Sequence, residues 1–114
     1  MVKQGSIWWA DLPEPSGSRA GFTRPVVVLQ ANQFNQSAIQ TIIVAALSSN
    51  PKLANAPGNV WIEARESGLV KDSVIVISQV QTLDKRSLRE YVGQVGEVTA
   101  DLIDHGLGLI FKRG

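Results

Sequence analysis

Cysteine is absent from the sequence, and histidine occurs once among 114 residues. Without cysteine the chain forms no disulfide, has no thiolate nucleophile and offers no thiolate ligands for zinc. A single imidazole likewise excludes a histidine-rich metal site. We therefore expect the protein to work without a metal ion or another cofactor.

Long apolar runs are also missing, since none approaches the roughly 20 residues that cross a bilayer. The N-terminal residues Met1–Gly5 lack the apolar segment of a signal peptide. We expect a cytoplasmic protein that makes no membrane contact. The composition, 44% hydrophobic and 18% charged, is typical of one globular domain, and we predict a single domain over residues 1–114.

Charge is sparse in the first half of the chain. The net charge of +1 gives no overall basic signature of nucleic-acid binding. The charged side chains among the first 50 residues are Lys3, Asp11, Glu14, Arg19 and Arg24. Because this half is nearly neutral, its two arginines are candidates for a local function.

Apolar residues recur with a period of two, which is typical of β-strands. The candidate strands are Ser6–Asp11, Arg24–Gln30, Ile42–Asn50, Asn59–Glu63, Ser73–Val80 and Glu90–Gly96. Long loops over residues 13–23 and 49–58 exceed hairpin length and are candidate functional segments. This pattern predicts a mostly β protein with a barrel-like sheet.

One helix is predicted, at the C-terminal end. Thr99 is the expected cap, Asp101 suits the first turn, and Lys112 and Arg113 suit the C-terminal end of the helix dipole. The apolar face expected to pack on the sheet consists of Leu102, Ile103, Leu107, Ile110 and Phe111. His105 lies off this face beside acidic residues. We interpret it as a solvated helix residue, which leaves its use as a general base as the alternative.

Polar chemistry stands at the ends of two neighbouring apolar strands. Arg24 begins one strand, and Ser48 and Ser49 close the next. A barrel-like sheet would bring the guanidinium and the hydroxyls together around a phosphate, which indicates phosphodiester chemistry. Two alternatives remain: Arg24 forms an ion pair with Asp11 or Asp84, and Ser48 only supports a turn.

The order of several motifs resembles that of the MazF/PemK toxin family. The motifs are Trp9–Leu12, the Gly17–Ser18 loop, Arg24–Val28, a strand ending at Ser48, and Asp72–Lys85. The similarity extends from Gly5 to about Leu109. It implies a small SH3-like antiparallel β-barrel of five to seven strands with a C-terminal helix.

The resemblance also implies a function. Members of this family are toxins of type II toxin–antitoxin systems, act as homodimers and are inhibited by a cognate antitoxin. The implied reaction is metal-independent, sequence-specific cleavage of single-stranded RNA, messenger RNA above all. The ribose 2′-hydroxyl attacks the adjacent phosphorus, which gives a 2′,3′-cyclic phosphate and a 5′-hydroxyl. A two-histidine ribonuclease mechanism is excluded by composition.

Site residues follow from the same resemblance. Arg24 matches the family's arginine, and Ser48 stands where threonine is usual, so both are predicted to be catalytic. The predicted RNA-binding residues are Ser18, Arg19, Phe22, Ser49 and Gln79. For Phe22 the alternative is a residue that packs the first loop onto the core. For Gln79 it is an amide that bonds a neighbouring loop.

The first loop departs from the family pattern, because Arg19 replaces a glutamate that follows Gly-Ser. The base that accepts the 2′-hydroxyl proton is then unassigned, and Glu14 lies five residues earlier. Arg19 would instead add affinity for phosphate. Besides the endoribonuclease, two functions therefore remain as alternatives.

One alternative is a non-catalytic toxin of the same fold that binds a topoisomerase, as gyrase poisons do. The other, which the departure at Arg19 keeps open, is an inactive barrel that binds antitoxin.

Three tryptophans and the second loop are candidates for contacts between proteins. Trp8 and Trp9 must point to opposite sides of their strand, so we expect one in the core and the other against a loop or partner. Trp61 raises the same alternatives. Leu53 and Ala54 are candidate partner contacts in the second loop.

Overall fold

The computed structural model describes residues 2–13 and 22–114. These ranges contain six β-strands, three α-helices and two 3-10 turns. The strands are β1 (Ser6–Asp11), β2 (Thr23–Val28), β3 (Thr41–Ser48), β4 (Val60–Ile62), β5 (Ser73–Asp84) and β6 (Leu88–Gln94). The helices are α1 (Asn32–Asn35), α2 (Ala64–Ser67) and α3 (Glu97–Ile110), and 3-10 turns span Pro51–Asn55 and Lys85–Ser87.

The six strands form one sheet in the order β4-β5-β3-β2-β1-β6. Every neighbouring pair is antiparallel. The sheet curls into a half-barrel, with register shifts in β1–β6 and β3–β5 where the strands bend. The prediction of a small antiparallel β-barrel with a C-terminal helix is confirmed.

Alternating side chains of the same strands build two hydrophobic clusters, one on each face of the sheet. Val27 of β2 belongs to the first cluster, while Val26 and Val28 belong to the second. The first cluster includes Ile103 of α3, so the helix covers that face. The second face is covered by residues near the first loop, among them Leu12 and Phe22.

Helix α3 begins three residues earlier than predicted. Gly96 is its N-cap and Thr99 lies buried inside it, so the prediction that Thr99 caps the helix is wrong. The start is fixed by a long-range contact, in which the Gly96 N–H donates to Glu66 Oε2 at 2.9 Å. Lys112 and Arg113 follow the helix, which ends at Ile110.

The apolar face predicted for α3 is only partly packed. Ile103 is buried and Leu107 half-buried, but Leu102, Ile110 and Phe111 are exposed. The helix instead approaches the sheet through Gly106, which lies against the backbone of Gly58. None of the helices in the described ranges is long and apolar enough to cross a membrane.

Candidate active site

Three interior strands of the sheet have neighbouring ends on the same side. Because β5, β3 and β2 are antiparallel neighbours, the start of β5, the end of β3 and the start of β2 lie side by side. The β2–β3 register pairs Val26 with Ala46. Continued by two residues, that register sets Arg24 opposite Ser48, so the predicted pairing of guanidinium and hydroxyl is a consequence of strand order.

Arg24 is half-buried, and its contacts are few. Its Nη2 donates to the Leu47 carbonyl oxygen at 3.2 Å, and its Cζ lies 5.8 Å from the centroid of the Phe22 ring. Among the described residues no carboxylate pairs with it. The guanidinium therefore keeps donors available for a ligand.

The alternative of an ion pair at Arg24 is wrong for both predicted partners. Asp11 pairs with Arg89, and Asp84 pairs with Arg86 at 3.2 Å. The hydrogen bonds donated by the Arg86 side chain and backbone N–H hold the pKa of the Asp84 carboxyl below its usual range. The same contact raises the pKa of Arg86.

A hollow of about 340 Å³ opens at the three strand ends. We call it the arginine hollow. Its lining residues are Trp9, Thr23, Arg24, Pro25, Leu47, Ser48, Ser49, Leu69, Val70, Lys71 and Ser73. Two predicted site residues, Ser48 and Ser49, thus stand beside Arg24. The charged groups in this lining are both cationic.

A second hollow of about 370 Å³ lies on the other side of Arg24. We call it the glutamine hollow. Its lining residues are Leu12, Pro13, Phe22, Arg24, Ala46, Gln79, Val80 and Gln81. Since Arg24 lines both hollows, the two form one surface that extends across the guanidinium.

The Ser48 hydroxyl takes part in turn chemistry without being fully engaged. Its oxygen accepts a hydrogen bond from the Asn50 N–H at 3.2 Å, as the turn interpretation requires. The hydroxyl proton has no acceptor among the described residues, so it remains available to donate. Ser49 is exposed at the same strand ends.

Phe22 and Gln79 differ in how far they are engaged. Phe22 is half-buried and packs against the second hydrophobic cluster, as the loop-packing alternative predicts, while its ring faces Arg24. The Gln79 side chain is exposed and makes no hydrogen bond to another described residue. The alternative of an amide bonded to a neighbouring loop therefore finds no partner in the described part of the chain.

The other predicted residues are placed as follows. Ser18, Arg19 and Glu14 lie outside the described residues. His105 is exposed on α3 and lines neither hollow, which confirms its interpretation as a solvated helix residue. Trp9 lines the arginine hollow.

The remaining aromatic and loop candidates lie elsewhere. Trp8 packs against the second hydrophobic cluster and makes an edge-to-face contact with Tyr91, with ring centroids 5.6 Å apart, whereas Trp9 lines the arginine hollow. Both tryptophans are half-buried. Trp61 is 45% exposed, and Leu53 and Ala54 are half-buried.

Leu69, Val70 and Lys71 were not predicted to lie at the site. They belong to the connection between α2 and β5, and Val70 is 97% exposed. Their one sequence signal is position: they immediately precede the strand that pairs with the end of β3. That signal becomes useful only once the strand order is known.

Comparison with known proteins identifies the family of the chain. Residues 3–111 match the family described as PemK-like, MazF-like toxin of type II toxin-antitoxin system. Endoribonuclease MazF6 of Mycobacterium tuberculosis H37Rv is 39% identical over 107 residues, which cover 94% of each chain. Endoribonuclease EndoA of Bacillus subtilis 168 is 36% identical over 107 residues, 94% of this chain and 91% of that protein.

Solved structures show the same fold. The Mycobacterium tuberculosis toxin MazF-mt6 superposes with a TM-score of 0.79 at 19% identity, covering 96% of this chain and 98% of that one. A MazE–MazF structure from Deinococcus radiodurans gives a TM-score of 0.79 at 21% identity and covers 99% and 97%. With the family match over nearly its whole length, the chain belongs to the PemK-like, MazF-like toxins of type II toxin–antitoxin systems.

Proposed function

We propose that this toxin is an endoribonuclease that cleaves single-stranded RNA, messenger RNA above all, in the two hollows around Arg24. The observation that carries the proposal is the Arg24 guanidinium, which has no carboxylate partner among the described residues. It lines the same hollow as Ser48, where the ends of neighbouring strands meet. Curated relatives that cover nearly the whole chain are endoribonucleases. Both groups are hydrogen-bond donors suited to phosphate oxygens.

The reaction is an internal displacement at phosphorus. The ribose 2′-oxygen forms a bond to phosphorus and gives up its proton, while the bond from phosphorus to the 5′-oxygen breaks and that oxygen takes a proton. The products are a 2′,3′-cyclic phosphate and a 5′-hydroxyl. No metal ion is needed as a reactant.

Arg24 and Ser48 act on the charge that develops during this displacement. The non-bridging oxygens become more negative in the transition state than in the substrate, so donors aimed at them lower the barrier. The planar guanidinium of Arg24 supplies two N–H donors for these oxygens, and the Ser48 hydroxyl supplies one O–H donor. The described lining of the two hollows contains no carboxylate or imidazole, so the contribution of these residues is electrostatic.

The glutamine hollow is the place for base recognition. Single-stranded RNA is read by stacking and by hydrogen bonds to base edges. Gln79 offers an amide donor and acceptor, and the half-buried ring of Phe22 offers an apolar edge beside it. Ser18, Arg19 and Ser49 complete the proposed RNA-binding set.

The partners follow from family membership. One solved structure similar to this chain is of an endoribonuclease in complex with its cognate antitoxin. We infer that residues 1–114 form one domain, that the toxin is a homodimer, and that a cognate antitoxin inhibits it. It acts in the cytoplasm, where its RNA substrate is found.

Incubation with a long single-stranded RNA in excess EDTA tests the proposal. Cleavage at one short sequence, with cyclic phosphate and 5′-hydroxyl ends, is the expected result. Arg24→Gln should lower kcat by about 10² to 10³, the usual effect of losing a donor that stabilises transition-state charge. Arg24→Lys should retain part of the activity, because it keeps the charge and loses the planar fork.

Arg65→Gln is the matched control, since the Arg65 side chain is 87% exposed and lies outside both hollows. Equal losses in Arg65→Gln and Arg24→Gln would contradict the assignment of the site. RNA that stays intact with the unmodified toxin would overturn the endoribonuclease and direct attention to topoisomerase binding.

A further inference from the structure

Lys71 stands in the arginine hollow without an assigned function. It lies two residues before β5, in the short connection that follows α2. The side chain is exposed and makes no ion pair with a described residue. Its neighbours in the hollow include Ser48, the last residue of the strand that pairs with β5, and Ser49, which follows it.

The backbone around Lys71 is held in place by three local hydrogen bonds. The Leu69 N–H donates to Ser67 Oγ at 3.0 Å, and the Ser73 hydroxyl donates to the Lys71 carbonyl at 3.1 Å. Asp72 Oδ1 accepts the Ala64 N–H at 2.8 Å. The connection is therefore ordered before any ligand binds, and the Lys71 side chain starts from a fixed point.

Lys71 makes no ion pair with its sequence neighbour Asp72. The Asp72 carboxylate is engaged at the start of α2 and does not line the hollow. No other carboxylate lines it among the described residues. Arg24 and Lys71 thus place two positive charges on one depression that also holds serine hydroxyls.

One strand separates the chain segments that carry the two charges. Arg24 is the second residue of β2, whereas Lys71 lies two residues before β5, and β3 lies between these strands. Neighbouring strands are about 4.8 Å apart, so the two chain segments lie on the order of 10 Å apart. Side chains that start from separate points and line one hollow are able to hold different phosphates of one RNA strand.

We propose that Lys71 binds the RNA phosphate next to the scissile phosphate. The RNA strand would then run across the ends of these β-strands, from Arg24 past Ser48 to Lys71. This inference rests on the proposed function, whose site it extends. Lys71 is a substrate-binding residue that touches no reacting atom. Its loss should weaken RNA binding and leave the chemical step nearly unchanged.

The test measures binding to an RNA that cannot be cut. After the cleavage site has been mapped, an oligonucleotide with 2′-deoxyribose at the scissile nucleotide lacks the attacking hydroxyl. Its Kd is measured by fluorescence anisotropy from 50 to 250 mM salt for the unmodified toxin, Lys71→Gln, Lys71→Arg and Lys112→Gln. Lys112 is an exposed lysine beyond α3 and serves as the matched control.

Lys71→Gln should raise Kd about threefold to tenfold and reduce the slope of log K against log salt by about 0.7, the loss of one phosphate contact on a single strand. Lys71→Arg should retain the slope, and Lys112→Gln should match the unmodified toxin. In cleavage assays KM should rise for Lys71→Gln while kcat stays within about twofold.

An unchanged slope for Lys71→Gln, or an equal loss for Lys112→Gln, would overturn the inference. These outcomes are distinct from failure of the proposed function. RNA that is bound but never cleaved by the unmodified toxin would refute the endoribonuclease, while the salt slopes measured on that uncleaved RNA would still decide the phosphate contact. A toxin that binds no RNA would refute both.

Discussion

Replacing Gly106 with alanine should destabilise the fold, although alanine is the better helix former. Gly106 is buried in α3, and a Cβ there would overlap the Gly58 carbonyl oxygen and lie 3.1 Å from Ile77 Cγ1. The Gly58 backbone cannot easily retreat. The Asn59 side chain next to it donates to the Leu53 carbonyl at 2.9 Å and accepts the Ile77 N–H at 3.0 Å.

The magnitude follows from two opposing effects. Alanine is favoured over glycine in a helix interior by about 1 kcal/mol. Overpacking against fixed backbone costs about 1 to 3 kcal/mol. Gly108 lies in the same helix, and a Cβ there meets nothing within 4 Å. Gly108→Ala should therefore show the propensity gain alone, and Gly106→Ala should be about 1 to 3 kcal/mol less stable than Gly108→Ala.

Urea and thermal unfolding of the two variants measure this difference. The protein concentration must be equal in all samples, because the stability of an oligomer depends on it. For a chain of this size the difference corresponds to a gap in Tm of several degrees. If Gly106→Ala proved as stable as Gly108→Ala, the close approach of α3 to Gly58 would be refuted.

Two further substitutions test buried polar contacts and surface charge. Asn35→Ala should cost about 1 to 3 kcal/mol in urea unfolding, because buried Asn35 accepts from Gln30 Nε2 at 3.0 Å and donates to the Gln30 carbonyl at 2.8 Å. Gln33→Ala, exposed in the same helix, should stay within about 0.5 kcal/mol, and an equal loss there would contradict the reasoning. Asp84→Asn tests linkage: the pKa of Asp84 is lowered in the fold by Arg86, so its stabilisation is present above the unfolded-state pKa and lost as pH falls through the folded-state pKa. The stability gap between the unmodified protein and Asp84→Asn should be constant near neutral pH and narrow below about pH 4, and a gap unchanged down to pH 3 would refute it.

The strands could be predicted because their signal is local. Val26, Val27 and Val28 are all buried, yet they alternate between two clusters on opposite faces. The β-branched run and the proline before it were sufficient to predict a strand with Arg24 at its start. The position of Ser48 at the end of the next strand could be predicted for the same reason, since a hydroxyl after an apolar run marks the end of a strand.

The start of α3 could not be predicted, nor could the part of the site that the connection between α2 and β5 supplies. Both depend on contacts between residues distant in sequence. Thr99 has the chemistry of a cap, but the helix starts three residues nearer the N-terminus, where the Gly96 N–H donates to Glu66. Lys71 becomes part of the site only through the pairing of β3 with β5. A local pattern contains neither the bond nor the pairing.

The pairing of charges explains how a chain with a net charge of +1 can present a site for a polyanion. Arg65, Arg86 and Arg89 each lie against a carboxylate, so their fields are largely cancelled at short range. Arg24 and Lys71 have no such partner among the described residues, and both line the same hollow. Other described cations, such as Lys3, Lys52 and Lys112, also lack a carboxylate partner, but none of them lines this hollow. The two charges that share a lining, and their attraction for a phosphate chain, thus lie where we propose that the chemistry takes place. Because such attraction is screened within about 8 to 10 Å at physiological salt, local placement of two charges matters more here than the total.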